Sequence, residues 1–451
     1  MTKFRYKIIL SIVIIIMLGL AYTAQTVMVT NDSTSHSDNN KQQIKEVVEV
    51  KFGKNNKEII AIEADTEKKP IPEDEAQKDA GETTKNKPDN PDKSDNSVVL
   101  TDKDAKEKST AVFYGANLPT DVLSQYRRII VEPDNVKPNE LLALRAKDSR
   151  VFAYVSIGEV NPSRKWFKKI KTAWVLGDNK IWDSKVMDLA SSGWQDFLVD
   201  TVVAPLWKAG YQGLFLDTMD SFYIFAKDKQ QQEIQTKALT QLMEKIHQRY
   251  PEMRFISNRG FEVLPSIGKQ LEAVVAESLY ASWHNGKKIY QETPENDQKW
   301  LLNKLNKIKK DLSIDVIIID YAESANRTHA TQIADKIAQQ GFIPWVSIPS
   351  LDLAGVGSIK PKLESYLLLI DSKTDGHTPL KLKKYQRLIQ MLKQQNKYLK
   401  VHDIRLGLPL GYMSGRYIGL INTLPAEKQS KAYKTWLVKQ KQQGMPIKRH
   451  P

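Results

Sequence analysis

GLFLDTMDSF, residues 213–222, begins as a buried strand and ends on acids. Leu214, Phe215 and Leu216 are consecutive and apolar. Neither face of such a strand is meant for water, which is the pattern of a parallel sheet covered by helices. Asp217 and Asp220 stand where the apolar run stops. Seven other runs share this grammar: AVFYGAN (111–117), RIIVEPD (128–134), VFAYVSIGE (151–159), RFISNRG (254–260), AVVAESLY (273–280), VIIIDYAE (316–323) and IPWVSIPS (343–350). Helical stretches such as SGWQDFLVDTVVAPLWKAG lie between most of them. Eight strand–helix units in about 250 residues predict an α/β fold, a (β/α)8 or TIM barrel, over 110–360. The alternative is an open doubly wound sheet, which carries a glycine-rich phosphate turn after its first strand. No such turn follows AVFYGAN.

The whole chain has 451 residues, no cysteine and a formal charge of +14. Disulfides and thiolate catalysis are therefore excluded. A basic balance suits an anionic partner, but the lysines and arginines are spread over helical faces and tails, and no zinc finger or aromatic RNA-binding stretch accompanies them. Nucleic acid is not an expected partner.

Lys3, Arg5 and Lys7 precede an apolar run over 8–24. That order marks export, with the basic end left in the cytoplasm. The run is short for a membrane span and long for a signal peptide, and no A-x-A site follows. Residues 1–29 are read as a signal-anchor facing the periplasm or the cell exterior, with a cleaved signal peptide as the alternative. Residues 30–109 are polar and charged, too poor in apolar surface to fold, and predict a disordered linker. Within it, IKEVVEVKFGKNNKEIIAIE has the pattern of a local hairpin. After the barrel, 361–451 restarts an α/β pattern: SYLLLID, LKLKKYQRLIQMLKQQNK, YLKVHDI, RYIGLIN and KAYKTWLVKQKQQG. This predicts a partial C-terminal α/β domain whose strands pair with one another and whose removal leaves the barrel intact.

In a barrel the strand C-terminal ends form the active face. Here they carry Glu132 and Asp134, Glu159, Asp217 and Asp220, Asn258 and Arg259, Glu277 and Tyr280, then Asp320, Tyr321 and Glu323. A single acid at such a place is most simply a helix cap or an ion-pair partner. A ring of acids at one mouth is costly to bury unless it is used. Tyr114, Tyr154, Phe222, Tyr223, Tyr280, Trp283, Tyr321 and Trp345 accompany it. Aromatic faces beside hydrogen-bonding acids suit a sugar ring, and an acidic cleft suits a cationic amino sugar. Two carboxylates flanking a glycosidic bond suffice for its hydrolysis. No histidine and acid spacing of a zinc site is present, and no metal or other cofactor is called for. A catalytically silent polysaccharide-binding barrel and a metal-dependent lyase or isomerase are the competing readings.

YVSIGE, GLFLDTMDSF, ISNRG and AESLY, in this order over 111–350, resemble glycoside hydrolase family 114, the endo-α-1,4-polygalactosaminidases. The resemblance implies hydrolysis of a partly deacetylated, galactosamine-rich exopolysaccharide such as Pel. It also implies contact with a secretion machinery. It places the two catalytic carboxylates on Asp217 and Glu277. Tyr114, Tyr154, Glu159, Asn258, Arg259, Tyr280, Asp320 and Tyr321 are then expected to contact substrate. Asp220 is expected to bind an amine or hydroxyl or to cap the next helix, and Glu323 to contact substrate or pair with an arginine. The C-terminal piece resembles the opening of the α/β domain that follows the hydrolase in Pel-system members of the family. Asp217 and Glu277 end the fourth and sixth strands, close enough to converge at the about 5–5.5 Å of a retaining enzyme.

Overall fold

The computed structural model describes residues 48–52, 56–60, 106–376 and 378–449. The expected export segment and most of the expected linker lie outside them. Val48–Phe52 and Asn56–Ile60 pair as an antiparallel hairpin within that linker. Among the described residues no helix is long and apolar enough to cross a membrane.

Eight parallel strands form the main sheet: β1 (Thr110–Phe113), β2 (Arg128–Val131), β3 (Arg150–Ser156), β4 (Gly213–Asp217), β5 (Arg254–Asn258), β6 (Leu271–Glu277), β7 (Asp315–Tyr321) and β8 (Ile343–Ser347). They are hydrogen-bonded in chain order, and Val356–Gly357 adds antiparallel to β8. Only the seam between β1 and β8 lacks a ladder. There the Tyr114 amide donates to the Leu351 carbonyl at 2.7 Å. This is the expected (β/α)8 barrel. β4 is buried at all five positions, as its unbroken apolar run requires. The outer helices bury one stripe each. Glu295–Leu312 buries Leu301, Leu305 and Ile308, and Arg327–Gln339 buries Ala330, Ile333, Ala334 and Ile337, the spacing of a 3.6-residue period.

The strand N-terminal ends are tied by charge. Arg128 donates to Glu272 at 2.8 Å and to Asp315 at 2.5 Å, and Arg150 reaches Glu272 at 2.9 Å. This cluster joins β2, β3, β6 and β7 across the face opposite the acids. Beyond β3 the chain makes a three-stranded antiparallel excursion over Glu159–Val160, Val175–Asn179 and Ser184–Met187, which the apolar pattern did not announce.

The C-terminal strands pair among themselves, as expected. Tyr398–Asp403, Ser365–Ile370, Leu420–Asn422 and Ile447–Arg449 form one parallel sheet in that order. The sheet is not independent of the barrel. Lys400 pairs with Asp121 at 3.0 Å, and the Lys362 amide donates to Gln125 at 2.7 Å. Arg416, 7% exposed, donates to the Asn117 carbonyl at 2.8 Å with its guanidinium 5.2 Å from the Phe113 ring centre. Nothing in the sequence signals this contact, because a lone arginine carries no mark of where it docks; whether the barrel stands without the piece is a matter for its unfolding.

Candidate active site

Three neighbouring strands, β4, β5 and β6, end on Asp217, Asn258 and Glu277. The residue after each turns left-handed: Thr218 at φ 59°, Arg259 at φ 50° and Ser278 at φ 62°. For a β-branched threonine this is a strained conformation of the kind stored at functional sites. Its hydroxyl holds it there, donating to the Asp217 carbonyl at 2.7 Å and accepting from the Gly158 amide at 3.0 Å. Gly158 must be glycine, since a Cβ there would lie 2.1 Å from the Thr218 carbonyl oxygen. The GLFLD strand therefore ends sharply, and its last carboxylate turns into the mouth.

Asp217 and Glu277 are each 3% exposed. Asn258 lies between them. Its side-chain nitrogen donates to Asp217 Oδ1 at 2.8 Å and to Glu277 Oε1 at 3.1 Å. The two hydrogens of one amide nitrogen diverge by about 120°, so these oxygens stand about 5 Å apart. Each acid also holds a tyrosine: the Tyr154 hydroxyl donates to Asp217 Oδ2 at 2.8 Å, and the Tyr321 hydroxyl to Glu277 Oε2. Burial pushes the Asp217 carboxyl up to about 6, against its hydrogen bonds from Tyr154 and Asn258. Burial pushes Glu277 further, to about 7, and the negative charge of Asp217 adds to it. Two unequal carboxyls at this separation can act as one proton donor and one carboxylate near neutral pH.

Arg259, 9% exposed, lies beside them, donating to the Glu277 carbonyl at 3.3 Å with its charge felt by Glu277 and Asp220. Asn258 Oδ1, Arg259 Nε and the Tyr114 hydroxyl are buried without a partner. Buried polar atoms are nearly always paired, so three orphans around two acids mark places where a ligand supplies the missing bonds. Tyr154 and Tyr321 are thus partners of the acids, and Tyr114 the free donor.

Other expected contacts are spent elsewhere. The Glu159 carboxylate accepts from Asn179 at 3.0 Å, from Ser221 at 2.5 Å and from Ser184. It staples the antiparallel excursion to the β4 loop, leaving little for substrate. Asp320 is fully buried and accepts the amides of Leu279, Tyr280 and Ala281 at 2.7–2.9 Å. It shapes the turn after Glu277. Tyr280 carries the Lys336 ammonium 4.1 Å from its ring centre, on the side of an outer helix. Tyr321, not Tyr280, adjoins Glu277. Asp220 precedes a short 3-10 turn at Ser221–Ile224 but makes no side-chain cap there, so it is a partly exposed acid facing Arg259. Glu323 is exposed and makes no ion pair with an arginine among the described residues. Glu132 is bound through two oxygens to Arg164, at 2.7 and 2.9 Å.

Asp320 and Tyr321 were both expected at substrate, and strand geometry limits that pairing. Adjacent strand residues point to opposite faces, so only one of the two can enter the mouth. The bridging role of Asn258 had no such signal. A cavity of about 490 Å³ opens beside Tyr154, Arg164 and Glu159, between the helices next to β3, and the two acids do not line it. Among the described residues no group of three acids or histidines is placed to hold a metal ion.

Residues 112–362 match a known family, described as glycoside-hydrolase family GH114. The glycoside hydrolase domain of PelA from Pseudomonas aeruginosa is similar at 34% identity and a TM-score of 0.51, over 55% of this chain and 97% of that one. A variant of the same domain matches equally. Ega3 of Aspergillus fumigatus, solved with galactosamine, is 15% identical at a TM-score of 0.43, over 55% of this chain and 93% of its own. No curated protein matches the chain.

Proposed function

This chain belongs to glycoside-hydrolase family GH114 and is a glycosidase, and we propose that its substrate is an α-1,4-linked, partly deacetylated galactosamine polymer, cleaved with retention of configuration. The observation that supports the mechanism is the pair of acids bridged by Asn258. An oxygen separation of about 5 Å fits attack by one carboxylate and leaves no room for the water of an inverting site. Asp217, with the lower pKa of about 6, is the nucleophile, and Glu277, at about 7, is the acid.

In the first step Asp217 bonds to the anomeric carbon while Glu277 gives its proton to the departing glycosidic oxygen. In the second, Glu277 takes a proton from water, the water oxygen bonds to the anomeric carbon, and the bond to Asp217 breaks. The partly exposed Asp220 and the orphan Oδ1 of Asn258 are acceptors suited to the ammonium and hydroxyl groups of galactosamine. The basic and apolar N-terminal pattern supports an exported protein, held at the membrane and facing the periplasm or exterior, where such a polymer and its secretion machinery would meet it.

Incubation of the chain with deacetylated α-1,4-galactosamine polymer tests this reading. New reducing ends are expected from the wild type and none from Glu277→Gln. Polymer that binds and co-sediments without any new ends would make the protein a binding barrel for that substrate instead.

A further inference from the structure

The C-terminal domain reaches the active face through residues 409–416, PLGYMSGR. Behind, this loop is braced on helix Lys431–Gln442. The Trp436 indole donates to the Pro409 carbonyl at 3.1 Å, and the Met413 amide donates to Gln440 at 3.2 Å. In front, Arg416 holds Asn117, and Gly415 packs so closely that a Cβ would lie 2.8 Å from the Ala354 carbonyl. Asn117 follows β1 and Ala354 follows β8, so the loop docks over the unladdered seam at the strand C-terminal ends.

Half-buried Tyr412 lies in the middle of this loop, and its hydroxyl feels the charge of Asp352. Asp352 sits against Gly115, one residue beyond Tyr114, and its carboxylate accepts from the Ser350 hydroxyl at 2.5 Å. Tyr290, which feels both Tyr412 and Glu323, packs edge-on against Trp283 with ring centres 4.8 Å apart, on the hairpin that follows β6. The Trp283 indole nitrogen is buried without a partner. So is the hydroxyl of Tyr114, 7% exposed, at the inner end of the same rim beside both catalytic acids. Among the described residues neither Asp352 nor Glu323 forms an ion pair with a cation. The rim from β6 round to β1 thus offers aromatic faces, unspent donors and two carboxylates, of which Asp352 also feels the charge of Arg416.

We propose that loop 409–416 is the outer wall of the polymer cleft, in which Tyr412, Tyr290 and Trp283 carry sugar units beyond the cleavage point and Asp352 and Glu323 receive their ammonium groups. The proposal rests on the galactosamine reading above and adds to it a subsite that the barrel alone cannot complete, because Tyr412 belongs to the domain that follows the matched residues. Aromatic faces cover the apolar side of each ring, and carboxylates select the deacetylated units.

The test uses the full chain with two substrates, long deacetylated α-1,4-galactosamine polymer and its tetramer, and three variants: Tyr412→Ala, Tyr412→Phe and Asp352→Asn. Tyr412→Ala is expected to raise KM on the polymer about tenfold with kcat little changed, to raise it less on the tetramer, and to be largely rescued by phenylalanine. Asp352→Asn is expected to narrow the preference for deacetylated over acetylated polymer. A wild type that cleaves both substrates, with Tyr412→Ala slowing them equally or not at all, overturns this proposal alone. A wild type that cleaves neither overturns the substrate reading and this proposal with it.

Discussion

Asn258 commits both amide hydrogens to the two buried acids, so the spacing between Asp217 and Glu277 is set by a third side chain. Asp217→Asn and Glu277→Gln are each expected to lower kcat about a thousandfold or more, because each removes one of two required roles while keeping shape. Asp220→Asn is expected to act mainly on KM; equal damage from all three would put Asp220 among the catalytic groups. The same substitutions bear on stability. Both carboxyls are raised by burial, so the folded protein keeps protons that the unfolded chain gives up near pH 4. Their penalty is absent below that pH, grows above it, and levels off above about 6 for Asp217 and about 7 for Glu277. Glu277→Gln is therefore expected to stabilise the protein by about 2 kcal/mol at pH 8 and to do almost nothing at pH 4. Urea unfolding at the two pH values measures this, and an equal effect at both would contradict the burial argument. Asp217 and Glu277 were singled out by the family motifs, because an acid ending an apolar strand is not by itself distinctive. Glu159 and Asp320 look the same in sequence, and only their partners, a serine–asparagine cage and three backbone amides, show that they build loops.

At the scale of elements, the eight strands were legible because each is apolar on both faces and short. The excursion over 159–187 was not, since its strands are only two to five residues long and Glu159 helps to hold them through Ser184 and Asn179. The left-handed turns after β4, β5 and β6 were equally hidden, because threonine, arginine and serine do not advertise positive φ as glycine does. Gly158→Ala is expected to force the β3 and β4 loops apart, costing about 2–3 kcal/mol and most of the activity by moving Asp217. A fully active, equally stable alanine variant would show that the close approach to Thr218 is not required. On the opposite face, Glu272→Ala leaves Arg150 unpaired and Arg128, with a side chain 8% exposed, with only Asp315. The expected loss is about 3 kcal/mol with kcat unchanged, read by thermal unfolding beside steady-state assay.

Residues 106–449 form a barrel whose seam is covered by a second domain. A chain ending near residue 360 loses the buried Arg416, which covers Phe113 and satisfies Asn117. Its Tm is expected to fall by about 5 °C or more; an unchanged Tm would show that the barrel closes unaided. The two unequal carboxyls also predict a bell-shaped kcat/KM profile with limbs near pH 6 and 7 and its maximum between them, belonging to the pair rather than to either acid. The central claim is that these acids cleave galactosamine polymer through a covalent bond to Asp217. Proton NMR of the first-formed reducing ends tests it most directly. The wild type should release α-anomers first, which then equilibrate. β-Anomers released first would contradict retention and make Asp217 the base that activates water.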